Sequence, residues 1–348
     1  MQQIVYSHNI TSCIDQLCTE SEADRVFLLT DETTERLCRP LLNESQAMKE
    51  TQSIVIGATD THKTLETLAN VWKALSNGKA SRQSLMINLG GGMVTDLGGF
   101  AAASFKRGID FINIPTTLLA MVDAAVGGKT GINFNGLKNE IGAFKEARSV
   151  VVDTEFLRTL DDENLRSGYA EMLKHSLLEN ASMWADHMKF SLDEPDYAHL
   201  QELVKQSIDC KQRIVTEDPH EHGIRKALNL GHTVGHAFES LALEQERPIL
   251  HGYAVAYGLL CELYLSAIHS GFPTEQMQQT VRFIRENYGE IPFTCDDYPH
   301  LYELMLHDKK NVGGVINFTL LSGIGQVELN QHLSQEQVYE SFDFFREG

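Results

Sequence analysis

The chain has 348 residues, of which 42% are hydrophobic and 22% are charged, and its formal net charge is −19. Because a length above about 300 residues exceeds what one hydrophobic core usually serves, we expect two domains. The negative charge disfavours nucleic acids and anionic membranes as partners, since the field of the whole molecule repels polyanions. A local cluster of Lys and Arg can still bind a small anion.

The termini and cysteines indicate a cytoplasmic protein. The first ten residues, MQQIVYSHNI, contain neither a basic segment nor an apolar one, so no secretory signal is predicted. No apolar run approaches the roughly 20 residues that span a bilayer. The six cysteines form no CxxC pair, and we expect them to be reduced, mostly structural thiols.

Residues 1–160 alternate apolar runs with helical stretches, which predicts a doubly wound α/β domain. The predicted strands are QIVYS, RVFLLTD, SIVIGA, SLMINLGGG, FINIPTT and SVVVDT, and a helix is predicted over residues 62–76. Runs of Val, Ile and Leu with little alternation are typical of a parallel sheet covered on both faces. Residues 161–348 carry helical periodicity except for INFTLLSGIGQVEL, which predicts a β-hairpin.

A glycine-rich loop, NLGGGMVTDLGGF, follows one predicted strand and leads into a helix. Gly90, Gly91 and Gly92 allow backbone amides to approach a pyrophosphate at the helix amino terminus. The spacing is not the GxGxxG of the dinucleotide fingerprint. From the residues alone, a plain tight turn and a nucleotide loop both remain open. Asp31, at the end of another strand, suits a ribose hydroxyl.

A second glycine-rich segment, DAAVGGKTGIN, contains GKT but is not a Walker A motif. That motif requires a glycine where this chain has Asp123. We expect Lys129 to lie on a flexible glycine loop, where it can contact a phosphate.

Three segments of the second half carry metal-ligand or acid–base side chains. In SGYAEMLKHSL, Glu171 and Lys174 are i,i+3 neighbours, either as a surface salt bridge or, given the apolar flanks, in a less exposed place. LNLGHTVGHAFE places His232 and His236 at i,i+4, and LHGYAVAYG begins a helix with His251. One Glu and two His predict a metal site with an open position, and the residues alone do not decide between His236 and His251.

The ordered motifs carry a family resemblance. GGGMVTDLGGF, SFKRGIDFINIPTTLLAMVDAAVGGKTGIN, LKNEIGAF, DTEFLRTL, SGYAEMLKH, RKALNLGHTVGHAFE, LHGYAVAYG and HDKKNVGG strongly resemble the 3-dehydroquinate synthase family, a branch of the sugar phosphate cyclases. The resemblance implies a Rossmann-like NAD-binding domain over residues 1–160. It implies a mainly helical zinc- and substrate-binding domain over residues 161–348.

The resemblance also implies a set of site residues. Glu171, His232 and His251 match the ligands of Zn²⁺ or Co²⁺, and His236 matches a non-ligand histidine of the substrate pocket. The NAD-contacting positions are Asp31, Asp60, Lys63, Gly90, Gly91, Gly92, Asp96, Thr116, Thr117, Lys138, Phe156 and Thr159. The substrate-binding positions are Arg107, Lys129, Asn139, Lys174, Lys211, Arg225, Asn229, His236 and Lys309. Asp123, Lys129, Lys174, Lys211, Arg225, Asn229 and His236 match catalytic positions.

Within this set, Lys129, Asn139 and Lys174 match the phosphate pocket, and Arg107 matches an arginine supplied by the neighbouring subunit of a homodimer. Departures from the family pattern are small: Asp60 stands where Glu is common, and Leu230 replaces Phe. The implied reaction turns a phosphorylated heptulosonate into 3-dehydroquinate and phosphate. A related sugar phosphate cyclase, a metal-dependent polyol dehydrogenase of the glycerol type, and an inactive NAD-binding module are the alternatives.

Overall fold

The protein is described by a computed structural model over residues 2–307 and 315–347. The chain divides into two compact units, Met1–Asp161 and Asp162–Gly348. Lys309, which the resemblance assigns to the substrate pocket, lies outside the described residues. Within the described ranges, no helix is both long and apolar enough to cross a membrane.

A six-stranded parallel sheet forms the centre of the first unit, in the order β1-β8-β5-β4-β2-β3. In chain order the elements are β1 (Gln3–Tyr6), α1 (Ile10–Ser21), β2 (Val26–Asp31), α2 (Glu32–Leu37), α3 (Gln46–Lys49), β3 (Gln52–Ile56), α4 (Leu65–Asn77), β4 (Leu85–Gly90), α5 (Gly92–Ser104), β5 (Asp110–Pro115), β6 (Lys129–Phe134), β7 (Leu137–Phe144) and β8 (Ser149–Val152). All six predicted strands belong to this sheet. The predicted α/β fold class is therefore confirmed.

The direction of chain winding reverses between β2 and β4. From β2 the chain continues to β3 on one side, whereas from β4 it continues to β5 on the other. In open α/β sheets, ligands bind in the crevice at the carboxyl ends of the strands that flank such a switch point. The residues that end these strands are Asp31 and Gly90.

The hairpin β6–β7 was not predicted, and the expectation of a flexible glycine loop at Lys129 is wrong. Lys129 is the first residue of β6 and pairs with Phe144. Gly131 and Gly142 face each other across the hairpin, and a Cβ at residue 142 would lie 2.0 Å from the Thr130 carbonyl oxygen. These glycines therefore serve close strand pairing rather than mobility.

The second unit is mainly helical with a hairpin near its end, as predicted, and a final helix follows the hairpin. Its elements are α6 (Asp162–Glu179), α7 (Ala181–His187), α8 (Tyr197–Glu217), α9 (His232–Glu244), α10 (His251–Leu265), α11 (Thr274–Tyr288), α12 (Tyr298–Leu306), β9 (Phe318–Gly323), β10 (Gln326–Gln331) and α13 (Gln335–Glu347). The chain turns between α6 and α7 because the Asn180 side chain caps α7 through the Met183 amide at 3.0 Å.

His187, the last residue of α7, is fully buried in this unit. Its Nδ1 lies 2.8 Å from the Met183 carbonyl oxygen, and its own carbonyl accepts a hydrogen bond from the Tyr169 hydroxyl at 2.9 Å. Burial lowers the pKa of His187 from 6.5 to about 4. The folded protein therefore holds this ring neutral at pH values where the unfolded chain protonates it.

We expect this difference to make the protein less stable in acid. Since the unfolded chain binds the extra proton between pH 6.5 and about 4, the free energy of unfolding falls as pH decreases through that window, by at most about 3 kcal/mol. Urea unfolding at pH 7 and pH 4.5 measures the loss. His187→Asn, which keeps a donor for Met183, should remove this part of the pH dependence, whereas the exposed control His269→Asn should retain it. Equal slopes in the two variants would contradict the assignment.

Candidate functional site

The glycine loop joins β4 to α5 at the switch point. Gly91 is the N-cap of α5 and no side chain caps this end. Because the first amides of a helix have no intrahelical acceptor, they are available to an anionic ligand. A Cβ at residue 90 would lie 2.5 Å from Val94 Cγ2, and one at residue 91 would lie 3.1 Å from Thr117 Cγ2. The packing of the loop therefore strongly favours glycine at residue 90 and leaves little room at residue 91.

Asp31 lies at the end of the strand next to this loop and is the N-cap of α2. Its Oδ1 accepts hydrogen bonds from the amides of Thr33 at 2.8 Å and Thr34 at 2.9 Å. Both bonds use the same oxygen, so Oδ2 is the atom that suits a ribose hydroxyl.

Lys63 connects three other predicted residues. Its buried ammonium donates to Asp96 Oδ2 at 2.6 Å and to Asn139 Oδ1. Asn133 joins the same cluster, because its side chain donates to Asp60 Oδ2 at 2.8 Å and its amide to the Lys63 carbonyl at 2.8 Å. Burial raises the pKa of Asp96, and the Lys63 ammonium opposes that effect. Three predicted NAD residues, Asp60, Lys63 and Asp96, therefore share one hydrogen-bonded cluster with the predicted phosphate residue Asn139.

The remaining predicted residues of the first unit differ in exposure. The Thr116 amide donates to the Gly90 carbonyl at 3.0 Å, and the Thr159 hydroxyl donates to the Phe156 carbonyl at 2.7 Å. Phe156 is fully buried, Lys138 is exposed, and Asp123 is half-buried in the π-helical turn Ala120–Ala124.

Arg107 lies away from the glycine loop within its own unit. It ends a 3₁₀ turn after α5, in the left-handed region at φ +70°. With Arg82, Asp110 and Lys145 it lines a cleft of about 340 Å³ at the amino ends of β4 and β5. The glycine loop lies at the other end of α5, whose 13 residues span about 20 Å. The first unit therefore does not bring Arg107 to its own glycine loop.

In the second unit, Glu171, His232 and His251 converge. Glu171 Oε1 lies 3.3 Å from His232 Nε2 and 3.5 Å from His251 Nε2, and the candidate ligand atoms lie within 4.8 Å of one another. Glu171 is fully buried, and neither carboxylate oxygen accepts a hydrogen bond of normal geometry. Two imidazoles and a carboxylate of this kind fit a divalent cation such as Zn²⁺.

The second nitrogen of each imidazole has its own neighbour. His232 Nδ1 lies 3.1 Å from the Leu230 carbonyl oxygen, and His251 Nδ1 lies 3.4 Å from Glu239 Oε2. These acceptors favour a proton on Nδ1 of each ring, so that Nε2 is the atom available to a metal ion. Sequence reasoning missed Glu239, although it lies three residues after His236 at the end of the LNLGHTVGHAFE motif.

A second trio, His236, Glu239 and His251, is also close enough to hold an ion. The first trio is favoured because it contains the buried carboxylate, whereas the Glu239 side chain is 18% exposed. His251 belongs to both trios and His236 to the second alone.

The charges around Glu171 keep it ionised. Lys174 forms an ion pair with it, and both side chains are buried, so a surface salt bridge is the wrong interpretation. Burial raises the pKa of Glu171, but Lys174 and His232 lower it by more, so that the pKa lies well below its ordinary value. Burial lowers the pKa of His251, whereas Glu171 and Glu239 raise it, to about 9 overall. A cation must therefore displace a proton from His251.

Backbone contacts of α10 position the three ligands. A Cβ at residue 252 would lie 1.8 Å from the Ser167 carbonyl oxygen on α6, and one at residue 258 would lie 1.9 Å from the Gly231 carbonyl oxygen before α9. Only glycine permits such approaches. Helix α10 thus brings its first residue, His251, close to the helices that carry Glu171 and His232.

The predicted substrate residues of this unit are largely buried. Lys211 lies on α8, and Arg225 donates to the Pro219 carbonyl at 2.7 Å. Asn229 donates to Glu221 Oε1 at 3.3 Å. Across the described residues, four Lys and Arg side chains are buried, and all are predicted site residues: Lys63, Lys174, Lys211 and Arg225. Such residues are rarely buried without a partner, and Lys63 and Lys174 form ion pairs with Asp96 and Glu171.

Family models and a sequence relative identify the same family. The family models described as 3-dehydroquinate synthase N-terminal and C-terminal match residues 53–167 and 168–311. A 3-dehydroquinate synthase of Parabacteroides distasonis is 54% identical over 100% of this chain and 98% of its own.

Two solved structures share the fold. One is a 2-epi-5-epi-valiolone synthase from Streptomyces hygroscopicus with NAD⁺ and Zn²⁺ bound; it has a TM-score of 0.85 and 23% identity, over 100% of this chain and 97% of that one. The other is a 2-deoxy-scyllo-inosose synthase complexed with carbaglucose-6-phosphate, NAD⁺ and Co²⁺, with a TM-score of 0.85 and 21% identity over 99% and 96%.

The two trios predict different effects of histidine substitutions on metal binding. We expect His251→Ala to lower the bound metal at least tenfold, because it removes a ligand, and His236→Ala to retain it. Metal analysis of proteins loaded with Zn²⁺ and then desalted measures both, with unfolding midpoints as a check on folding. Loss of metal in His236→Ala with retention in His232→Ala would assign the ion to the second trio instead.

Proposed function

Because the chain belongs to the 3-dehydroquinate synthase family, we propose that it is a lyase that converts 3-deoxy-D-arabino-heptulosonate 7-phosphate to 3-dehydroquinate and phosphate. This reaction would place it in the shikimate pathway, towards chorismate and the aromatic amino acids. The observation that carries the proposal is the convergence of Glu171, His232 and His251 in a chain that is 54% identical to a 3-dehydroquinate synthase. Its six free thiols favour a cytoplasmic location.

The first unit is proposed to bind NAD. When bound, NAD accepts a hydride from a substrate alcohol and later returns it, so no net NADH appears. The amides that follow Gly90 would hold the pyrophosphate, and Asp31 Oδ2 would accept from a ribose hydroxyl. The Lys63–Asp96 ion pair braces α5 against the hairpin that carries Asn139. NAD bound to a structural neighbour supports this assignment.

The second unit is proposed to hold Zn²⁺ or Co²⁺ on Glu171, His232 and His251. When bound, the ion supplies a Lewis acid that lowers the pKa of a substrate hydroxyl. The Leu230 carbonyl and Glu239 keep the two imidazoles in the tautomer that a ligand needs.

Different basic side chains are proposed to bind the phosphate and the carboxylate of the substrate. Lys129 and Lys174, with Asn139, would bind the phosphate, and Arg225 would bind the carboxylate through its planar fork. In the elimination, the carbon next to the new ketone loses a proton to the phosphate while the bond from carbon to the phosphate oxygen breaks. Hydrogen phosphate leaves and a carbon–carbon double bond remains. Lysine ammonium groups stabilise the charge that develops on the leaving group.

We also propose a homodimer in which Arg107 serves the partner's phosphate pocket. Its position at the end of α5 away from the glycine loop supports this arrangement, because a single chain leaves it apart from that loop. A closed dimer would supply the arginine to both sites symmetrically.

The reaction itself gives the first test. With the heptulosonate phosphate, catalytic amounts of NAD and Zn²⁺, we expect one phosphate released per substrate with no net NADH, and at least a tenfold loss of rate with a chelator. A phosphate assay and absorbance at the NADH band measure both. Net NADH from glycerol without phosphate release would instead indicate a polyol dehydrogenase. Turnover of a different sugar phosphate alone would indicate a related cyclase.

Subunit mixing tests the shared arginine. Arg107→Ala and Lys129→Ala should each be inactive alone, whereas refolding them together at equal amounts should restore about a quarter of the wild-type activity, because half the dimers are mixed and each has one intact site. Mixing Lys129→Ala with Lys174→Ala, which the proposal places in one chain's own pocket, gives the same mixed dimers but no intact site. Equal activity in the two mixtures would rule out sharing of Arg107.

A further inference from the structure

The helix that begins with His232 lacks a capping side chain of its own. Its N-cap is Gly231, at φ +78°. A Cβ at this position would lie 2.8 Å from Leu259 Cγ and 3.0 Å from the Val255 carbonyl oxygen, both on α10. Ser, Thr, Asp and Asn, the usual capping residues, therefore cannot occupy the position where the metal-ligand helix starts.

A carboxylate from the neighbouring helix caps this end instead. Glu262, fully buried on α10, accepts the Gly231 amide on Oε2 at 2.6 Å and the Val234 amide on Oε1 at 3.0 Å. In a capping box, one side chain accepts the N3 amide and another accepts the N-cap amide. Here Val234 is N3 and Gly231 is the N-cap, so the single carboxylate of Glu262 does both.

We infer that Glu262 is a positioning residue of the metal centre. His232 is the N1 residue between the two amides that Glu262 holds, and His251 begins the helix that carries Glu262. The carboxylate thus fixes the first turn of α9 relative to α10, which sets where His232 lies with respect to His251. This inference rests on the proposed metal site of Glu171, His232 and His251.

The contact between α10 and the start of α9 is made by backbone atoms, so a side chain is needed to hold the two helices in register. Gly258, four residues before Glu262, touches the Gly231 carbonyl and the Gly235 amide through backbone atoms alone. Such a contact sets the distance between the helices but has no side chain to resist sliding. Two hydrogen bonds from Glu262 add that restraint, since each has a directional requirement.

The test compares Glu262→Ala and Glu262→Gln with Ser266→Ala. Ser266 is the buried residue that follows α10; its hydroxyl accepts the Leu321 amide at 3.1 Å and donates to the Glu262 backbone carbonyl at 2.6 Å. Ser266→Ala therefore also leaves a buried amide without its acceptor and removes a contact to the Glu262 backbone, but it keeps the Glu262 carboxylate on α9. The metal-free proteins are loaded with Co²⁺, and the dissociation constant is measured by competition with a chelator. The visible Co²⁺ spectrum reports ligand geometry, and thermal unfolding reports stability.

We expect Glu262→Ala to weaken Co²⁺ binding by roughly 10- to 100-fold and to change the visible spectrum. Glu262→Gln should show a smaller shift in the same direction, because its amide oxygen can still accept one of the two amides. Ser266→Ala should unfold at a lower temperature but bind Co²⁺ within about twofold of the wild type, with an unchanged spectrum.

Equal Co²⁺ affinity and spectra in the wild type and both Glu262 variants would overturn the inference while leaving the metal site intact. If Glu262→Ala does not fold, Glu262→Gln decides by the same measurements. A wild-type protein that binds no Co²⁺ would overturn the proposed metal site and the inference with it.

Discussion

The proposed metal site depends on the close contact of α10 with its two neighbours, α6 and the start of α9. Ordinary side chains keep packed helices 8–10 Å apart. At Gly252 and Gly258, no side chain separates the backbone of α10 from Ser167 or Gly231. Short imidazole and carboxylate side chains from three helices can meet only if the helices approach each other this closely. The ligands themselves therefore explain less of the geometry than these glycines do.

In the first unit, strand order brings two candidate site residues close together. Asp31 and Gly90 end adjacent strands whose connections leave in opposite directions, which opens a crevice between them. Packing then favours glycine in the loop, because Val94 leaves no room for a side chain at Gly90 and Thr117 leaves little at Gly91. This explains how a loop without the GxGxxG spacing can present helix amides to a ligand.

The sequence predicted elements whose signal is local and missed features that depend on distant contacts. The six strands of the sheet were found because continuous Val, Ile and Leu runs are the direct consequence of burial on both faces. Hairpin β6–β7 was missed, because its glycines at residues 131 and 142 have meaning only once the strands face each other. Helical spacing relates His232 to His236, but it contains nothing about His251 on another helix. The family resemblance supplied that residue, and the roles of individual site residues remain predictions.

Both units bury basic side chains. A chain with a net charge of −19 has acidic groups in excess, yet it removes four Lys and Arg side chains from water. Each such burial costs desolvation energy, and a buried ion pair such as Glu171–Lys174 often stabilises a fold no better than apolar side chains would. Stability alone therefore does not account for these residues. The proposed binding of an anionic substrate would account for them, because a buried ammonium or guanidinium attracts phosphate or carboxylate more strongly than an exposed one. The net negative charge disfavours polyanions, whereas a local group of cations would still attract a small anion.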